Sequence, residues 1–116
     1  MAHIDPVLGT RRCGGSHALY IRFLSRFQDD QSLSSLNSAI KSGDCTQAFR
    51  HAHALKGLAA QLGLIDLSAK AAALCDMLRP LPDPIPQQAY ALLLDLSHSY
   101  CETLEAIDRF RNISSS

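Results

Sequence analysis

The stretch "DCTQAFRHAHALKGLAAQLG", residues 44–63, carries the clearest helical pattern in this sequence. Its apolar residues recur every three or four positions, so that on a helix they form one stripe suited to packing against a core. That stripe consists of Ala48, Ala52, Leu55, Ala59 and Leu62. Asp44 is a suitable N-cap with Gln47 three positions later, and Gly63 follows the stripe as a C′ residue. The pattern predicts a helix from Cys45 to Leu62, with structural roles for Asp44 and Gly63 at its ends.

Two helical segments are predicted before this stretch. The Asp-Pro pair at 5–6 is an N-cap followed by a first-turn proline, which predicts a short helix that ends near Arg12. A glycine pair at 14–15 ends it, and Ser16 can cap a second helix whose apolar period continues to residue 40. The polar sequence "QDDQS" at 28–32 is expected to kink or interrupt this second helix.

Two further helices are predicted after the central one. Asp66 is the expected N-cap of a helix that runs to about Arg79. The segment "RPLPDPIP" at 79–86 holds four prolines and is predicted to be a loop. Pro86 opens the last helix, whose apolar stripe extends to Phe110. No segment alternates with the period of a strand. We therefore predict an all-α fold, an antiparallel up-and-down four-helix bundle with a short extra N-terminal helix.

Length and composition set further limits. The 116 residues fit one domain, which we place at residues 4–112; residues 1–3 are expected to be additions ahead of it, and residues 113–116 a polar tail. The 11 basic and 11 acidic residues balance, so nothing in the overall charge indicates nucleic-acid binding. No apolar run reaches about 20 residues, which argues against direct membrane insertion. The four cysteines form no C-x-x-C pair, a pattern typical of reduced thiols in a cytoplasmic protein.

Two histidines on the central helix are predicted to point in different directions. Because successive helical residues turn by about 100°, His53 lies about 140° from the centre of the apolar stripe and His51 only about 60° from it. We therefore expect His53 to face solvent and His51 to pack at the edge of the core. Gly57 and Ala60 share the outer face with His53, and Lys56 lies on its flank.

Gly57 is the least expected residue of that outer face, because glycine inside a helix costs about 1 kcal/mol relative to alanine. A bare backbone beside an exposed imidazole leaves room for another macromolecule to approach the ring. A neutral imidazole is a nucleophile near neutral pH. The arrangement therefore favours a nucleophilic histidine that enters the active site of a partner protein.

The segment "AHALKGLAAQLG", residues 52–63, resembles the signature of histidine-containing phosphotransfer (HPt) domains, A-H-x-L-K-G with a further glycine six residues later. The sequences "YIRFLSRF" and "LSSLNSAIKSGD" before it, and the helix pair after it, are similar to the rest of such a domain. HPt domains are often the C-terminal part of a hybrid sensor histidine kinase, a place that the short polar end "NISSS" suits. We expect a parent kinase that resembles the BvgS/EvgS type, with this domain on the cytoplasmic side of the inner membrane.

The resemblance implies a phosphorelay intermediate of two-component signal transduction. The Nε2 atom of His53 would accept a phosphoryl group from an aspartyl phosphate on the receiver domain of the hybrid kinase, and would pass it to an aspartate of a response regulator. Lys56 would orient the phosphate, and Mg²⁺ would be held by the partner receiver domain, with no cofactor on this chain. The chain would then be a phosphotransfer carrier and not an enzyme on its own. We place the partner-binding surface at Phe49, Arg50, Gly57 and Ala60.

The residues alone leave one other interpretation open and argue against a second. A helical-bundle docking module without chemistry, such as a degenerate relay domain or an adaptor, would show the same helical pattern. A metal site at His51 and His53 is disfavoured, because side chains at positions i and i+2 of a helix do not face each other.

Overall fold

A computed structural model describes residues 4–114 of the chain, and these residues confirm the predicted all-α class. Residues 1–3, predicted as additions, and the last two residues of the predicted tail lie outside the described part. The elements in order are α1 (Pro6–Arg12), α2 (His17–Gln28), α3 (Ser32–Lys41), α4 (Cys45–Gln61), α5 (Ile65–Leu78) and α6 (Gln87–Ser114). The only β-type pairing in residues 4–114 is an isolated antiparallel bridge between Ile4 and Leu64.

The predicted caps form at the beginnings of three helices. The carboxylate of Asp5 accepts a hydrogen bond from the backbone N–H of Leu8 at 3.0 Å, which starts the short extra helix α1. The hydroxyl of Ser16 caps α2 in the same way, and the carboxylate of Asp44 caps α4. A side-chain oxygen at the N-cap satisfies a backbone N–H that has no partner within the helix.

The polar segment after α2 interrupts the helix completely rather than bending it. Helix α2 ends at Gln28, and α3 begins at Ser32. The carboxylate of Asp30 accepts a hydrogen bond from the backbone N–H of Ser32 at 2.8 Å. This local bond offers the backbone an alternative to continued helix, as short polar side chains commonly do.

The prediction that Asp66 caps α5 is wrong. Helix α5 already begins at Ile65, its N-cap residue is Leu64, and no side chain caps it. The carboxylate of Asp66 instead accepts a hydrogen bond at 2.7 Å from the hydroxyl of Ser99, a buried residue of α6. The turn before α5 is held by backbone pairing, since the Leu64 N–H donates to the carbonyl of Ala59 at 2.9 Å.

Helix α4 is surrounded on most sides. It packs against α3 and α5 along its length and against α1 near its C-terminal end, while α5 also packs against α6. The apolar stripe predicted from the sequence is buried in the common core, with Ala48, Ala52, Leu55, Ala59 and Leu62 at 1% exposure or less. The molecule is an elongated rod of 49 × 23 × 20 Å. Only the outer face of α4 is left for solvent or a partner.

The proline-rich loop after Leu78 leads into α6, which begins at Gln87, directly after Pro86, and runs to Ser114. Its inner face supplies buried residues along most of its length, from Ala89 to Ile107. Among the described helices, none combines the length and the apolar character that crossing a membrane requires.

Candidate functional site

His53 lies near the middle of α4, on the outer face, and is exposed. Its orientation is set by the residues beside it in the sequence, because Ala52 and Leu55 are completely buried and hold the helix in one rotation. His51, in contrast, is half-buried. The two histidines therefore differ in access as their helical positions predict.

An aromatic and basic surface lies on the N-terminal side of His53. The ring of the half-buried Phe49 lies 5.9 Å from the imidazole, measured between centroids, at a tilt of 44°. The guanidinium carbon of Arg79 lies 5.5 Å from the centroid of the same Phe49 ring, in a cation–π arrangement. Together with Arg50 and Ala54, these side chains line a shallow depression that has His53 in its wall.

Arg79 is a site residue that the sequence pattern did not predict. It is the C-cap of α5, and only the packing of α5 against α4 brings it to the Phe49 ring. The ion pair that it forms with Asp76, at 3.5 Å, joins two exposed side chains and is therefore weak. The guanidinium thus keeps most of its capacity to bind an anion. The sequence does show a basic residue at the end of the helix that follows α4. Whether its side chain contacts α4 depends on the tertiary structure.

The C-terminal side of His53 is bare. Gly57 is exposed, and a Cβ atom added to it would meet no atom within 4 Å apart from its two sequence neighbours and the nearby backbone of its own helix. Packing inside the chain therefore does not require glycine at this position. Lys56 beside it is half-buried, and so is Ala60 one turn further along the helix.

The structure divides the predicted site residues into two groups. Phe49 and Arg50 share the depression with His53, whereas Lys56, Gly57 and Ala60 line a separate groove that begins one turn further along α4. The remaining walls of this groove come from two other helices. They are Leu8 and Arg12 of α1 together with Ile65, Ser68, Ala69 and Ala72 of α5.

Other nucleophiles and metal ligands do not gather at this site. Within residues 4–114, no three histidine, cysteine or acidic side chains lie close enough together to hold a metal ion. The four cysteines are free thiols, and burial raises the pKa of Cys13 and of Cys45. A raised pKa keeps a thiol protonated and unreactive. In the described part of the chain, the exposed imidazole of His53 is thus the nucleophile that the site presents.

A family model described as "Hpt domain" matches residues 19–112, which is most of the chain. The chain belongs to the Hpt-domain family. Comparison with curated proteins and with solved structures gives no significant match. The Hpt domain has a phosphotransfer role in two-component signalling, as a carrier rather than an enzyme with its own activity, and it interacts with receiver domains of response regulators. Helix α1 lies outside the matched residues.

Proposed function

We propose that His53 is the phosphoacceptor of this Hpt domain. It accepts the phosphoryl group of an aspartyl phosphate on the receiver domain of a hybrid kinase and hands it to an aspartate of a response regulator. This assignment rests on the exposure of His53 in the middle of α4, one turn before Gly57, where an added Cβ atom would meet no atom of another helix within 4 Å. An exposed ring beside a low surface is accessible to the active site of a receiver domain.

The chemistry needs one nucleophilic nitrogen and an unobstructed line of attack. The lone pair of Nε2 attacks phosphorus while the bond to the aspartyl oxygen breaks, and the aspartate leaves as a carboxylate with that electron pair. The proton on Nδ1 stays on the ring, which becomes a phosphorylated imidazolium. The second transfer is the same step in reverse, with the carboxylate of the response regulator as nucleophile, so that no atom is gained or lost over the relay.

Three cations lie on the surface around His53, namely Arg50, Lys56 and Arg79. A phosphoryl group brings close to two negative charges, and one cation about 4 Å away in water contributes about 1 kcal/mol per unit charge. Lys56, with the two arginines beside it, can therefore orient the phosphate. These cations cannot supply most of the reduction in the activation barrier of phosphoryl transfer. Phosphoryl transfer depends on positioning and on a metal clamp, and we assign the Mg²⁺ and its carboxylate ligands to the receiver domain.

We further propose that the domain spans residues 4–112 and is the C-terminal module of a hybrid sensor histidine kinase. In this architecture α2 together with α3, then α4, α5 and α6, are the four antiparallel members of the bundle, and α1 is the extra helix. The proposed location is the cytoplasmic side of the membrane that carries the kinase, where both receiver domains are available.

The direct test is transfer from a receiver domain phosphorylated with radiolabelled acetyl phosphate in the presence of Mg²⁺. We expect label on the wild-type chain that is lost in acid and kept in base, as for a phosphohistidine, and no label on His53→Gln. A wild-type chain that binds receiver domains but acquires no label would instead establish a docking module without chemistry. Circular dichroism of both proteins checks that the substitution leaves the fold intact.

A further inference from the structure

Helix α1 lies beside the candidate site although the family match begins only at residue 19. It contributes Leu8 and Arg12 to the groove that starts at Lys56 and Gly57. Without α1 this groove would be an open face of α4 and α5. We call it the α1 groove.

Helix α1 is held firmly in this place. The backbone N–H of Asp5 donates to the carbonyl of Gly63 at 2.8 Å, and the side-chain amide of Gln61 donates to the carbonyl of Arg12 at 2.5 Å. The guanidinium of Arg12 donates to the carbonyl of Ala60. These bonds tie both ends of α1 to the end of α4, so that the wall of the groove is part of the folded structure.

The lining of the α1 groove has a definite chemistry. Its floor consists of small residues, and Leu8 and the exposed Ile65 supply apolar sides. Its charged residues are both cations, Arg12 and Lys56, and no carboxylate lines it. Such a groove fits an aliphatic ridge with acidic residues beside it. A second copy of this chain packed groove to groove would place Arg12 and Lys56 opposite like charges, which is unfavourable.

The groove is also continuous with the surface that a receiver domain must cover. A specific interface buries about 800 Å² on each partner, far more than one imidazole and its neighbours provide. A protein whose aspartate reaches His53 therefore extends over one or both sides of the ring. On the C-terminal side, the first surface beyond Gly57 is the α1 groove.

We infer that the α1 groove is the docking site for an aliphatic ridge of the receiver domain, and that α1 contributes to this binding through Leu8 and Arg12. This inference rests on the proposed function, since it takes the receiver domain as the partner at His53. A receiver seated in the groove contacts Leu8 and Arg12 while its aspartate reaches the imidazole.

The experiment uses the receiver domain that gives the fastest transfer to the wild-type chain in a profile of the source organism's receivers. The dissociation constant of the unphosphorylated receiver and the initial rate of transfer are measured for Ala69→Arg, Leu8→Glu and Arg12→Glu. Ala69 is exposed on the groove floor, so that arginine fits without disturbing the core. Ala91→Arg and Leu94→Glu introduce the same side chains at exposed positions of α6 that do not line the groove, and they serve as matched controls.

We expect each groove variant to weaken binding and slow transfer by about tenfold or more, with controls within twofold of wild type. Groove variants that all bind and transfer like wild type would overturn the docking site while leaving His53 as phosphoacceptor. A loss with Ala69→Arg but with neither Leu8→Glu nor Arg12→Glu would overturn the role of α1. Because the Arg12 guanidinium also donates to the Ala60 carbonyl, urea titration of Leu8→Glu and Arg12→Glu checks that α1 stays docked in both variants. Wild type that binds but never becomes labelled would refute the proposed function instead.

Discussion

Two helical glycines of this chain, Gly9 in α1 and Gly57 in α4, have opposite surroundings. A Cβ atom on Gly9 would lie within 3.0 Å of ring carbons of Tyr20 and of the carbonyl oxygen of Leu62. A Cβ atom on Gly57 would meet nothing within 4 Å. Both positions give up helix stability relative to alanine.

Gly9 is therefore a glycine that the fold requires, whereas the fold does not explain Gly57. Gly9 lets α1 approach the buried Tyr20, whose hydroxyl donates to the Leu62 carbonyl at 2.7 Å. That contact fixes α1 against the body of the molecule. Among the described residues Gly57 has no such partner, which favours a role for this position in contact with another protein. The helix stability lost at Gly57, without any gain in internal packing, therefore favours a binding surface at this position.

The largest effect is expected for Gly57→Glu. The new side chain projects into the space through which the receiver reaches His53 and adds a negative charge next to the incoming phosphoryl group. We expect the rate of transfer to fall by about 100-fold, equivalent to about 2.7 kcal/mol, with the stability of the fold unchanged or slightly raised. Transfer kinetics together with chemical denaturation measure both quantities. An unchanged rate of transfer would show that the receiver does not approach His53 over Gly57.

Gly9→Ala is expected to act on the fold. The added methyl group collides with Tyr20 and Leu62, and overpacking of this kind typically costs about 1–3 kcal/mol. We expect the free energy of unfolding to fall by about 2 kcal/mol in urea titrations, with wild-type m-value if α1 stays docked. A variant as stable as wild type would show that α1 is free to move away, in conflict with its role in the groove.

Gly57→Ala tests whether glycine is needed at this position for the stability of the fold. Because the methyl group points into open space, we expect it to stabilise the chain by about 0.5–1 kcal/mol while reducing transfer only a few-fold. Urea titration under the conditions used for Gly9→Ala gives the matched value. A loss of stability would mean that Gly57 also has a structural role.

His51→Leu is expected to have the smallest effect on phosphorylation. His51 is half-buried on the same helix, two residues before His53, and leucine preserves apolar packing at the edge of the core. The labelled fraction after incubation with a phosphorylated receiver should stay within twofold of wild type. Loss of label here, together with its retention in His53→Gln, would assign the phosphoryl group to the other histidine.

Local signals made much of this fold predictable. The caps at Asp5, Ser16 and Asp44 depend on bonds within three residues, so their sequence patterns suffice. The beginning of α5 was not predictable, because Asp66 is drawn away to Ser99 on another helix and the turn is held by pairing of the chain near Leu64. Helix periodicity also placed His53 on the outer face and His51 at the core edge.

The parts of the site that sequence reasoning missed all depend on how helices meet. Arg79 reaches the Phe49 ring only through the packing of α5 against α4. The α1 groove exists because Gly9 and Gly63 allow close approach of α1 to the body of the molecule; a Cβ atom on Gly63, whose φ is 72°, would collide with the carbonyl of Asp5. The spacing of residue types along one sequence does not predict contacts between segments that are distant in the chain.

The most direct test of the central claim is to locate the phosphoryl group on the chain after transfer from a phosphorylated receiver domain. Phosphorus NMR at alkaline pH, combined with mass spectrometry of peptides that separate His51 from His53, identifies both the bond and the residue. We predict a single phosphoramidate signal, with phosphorus on Nε2 of His53. A signal from any other residue, or a receiver that loses its phosphate without any signal on this chain, would contradict the account.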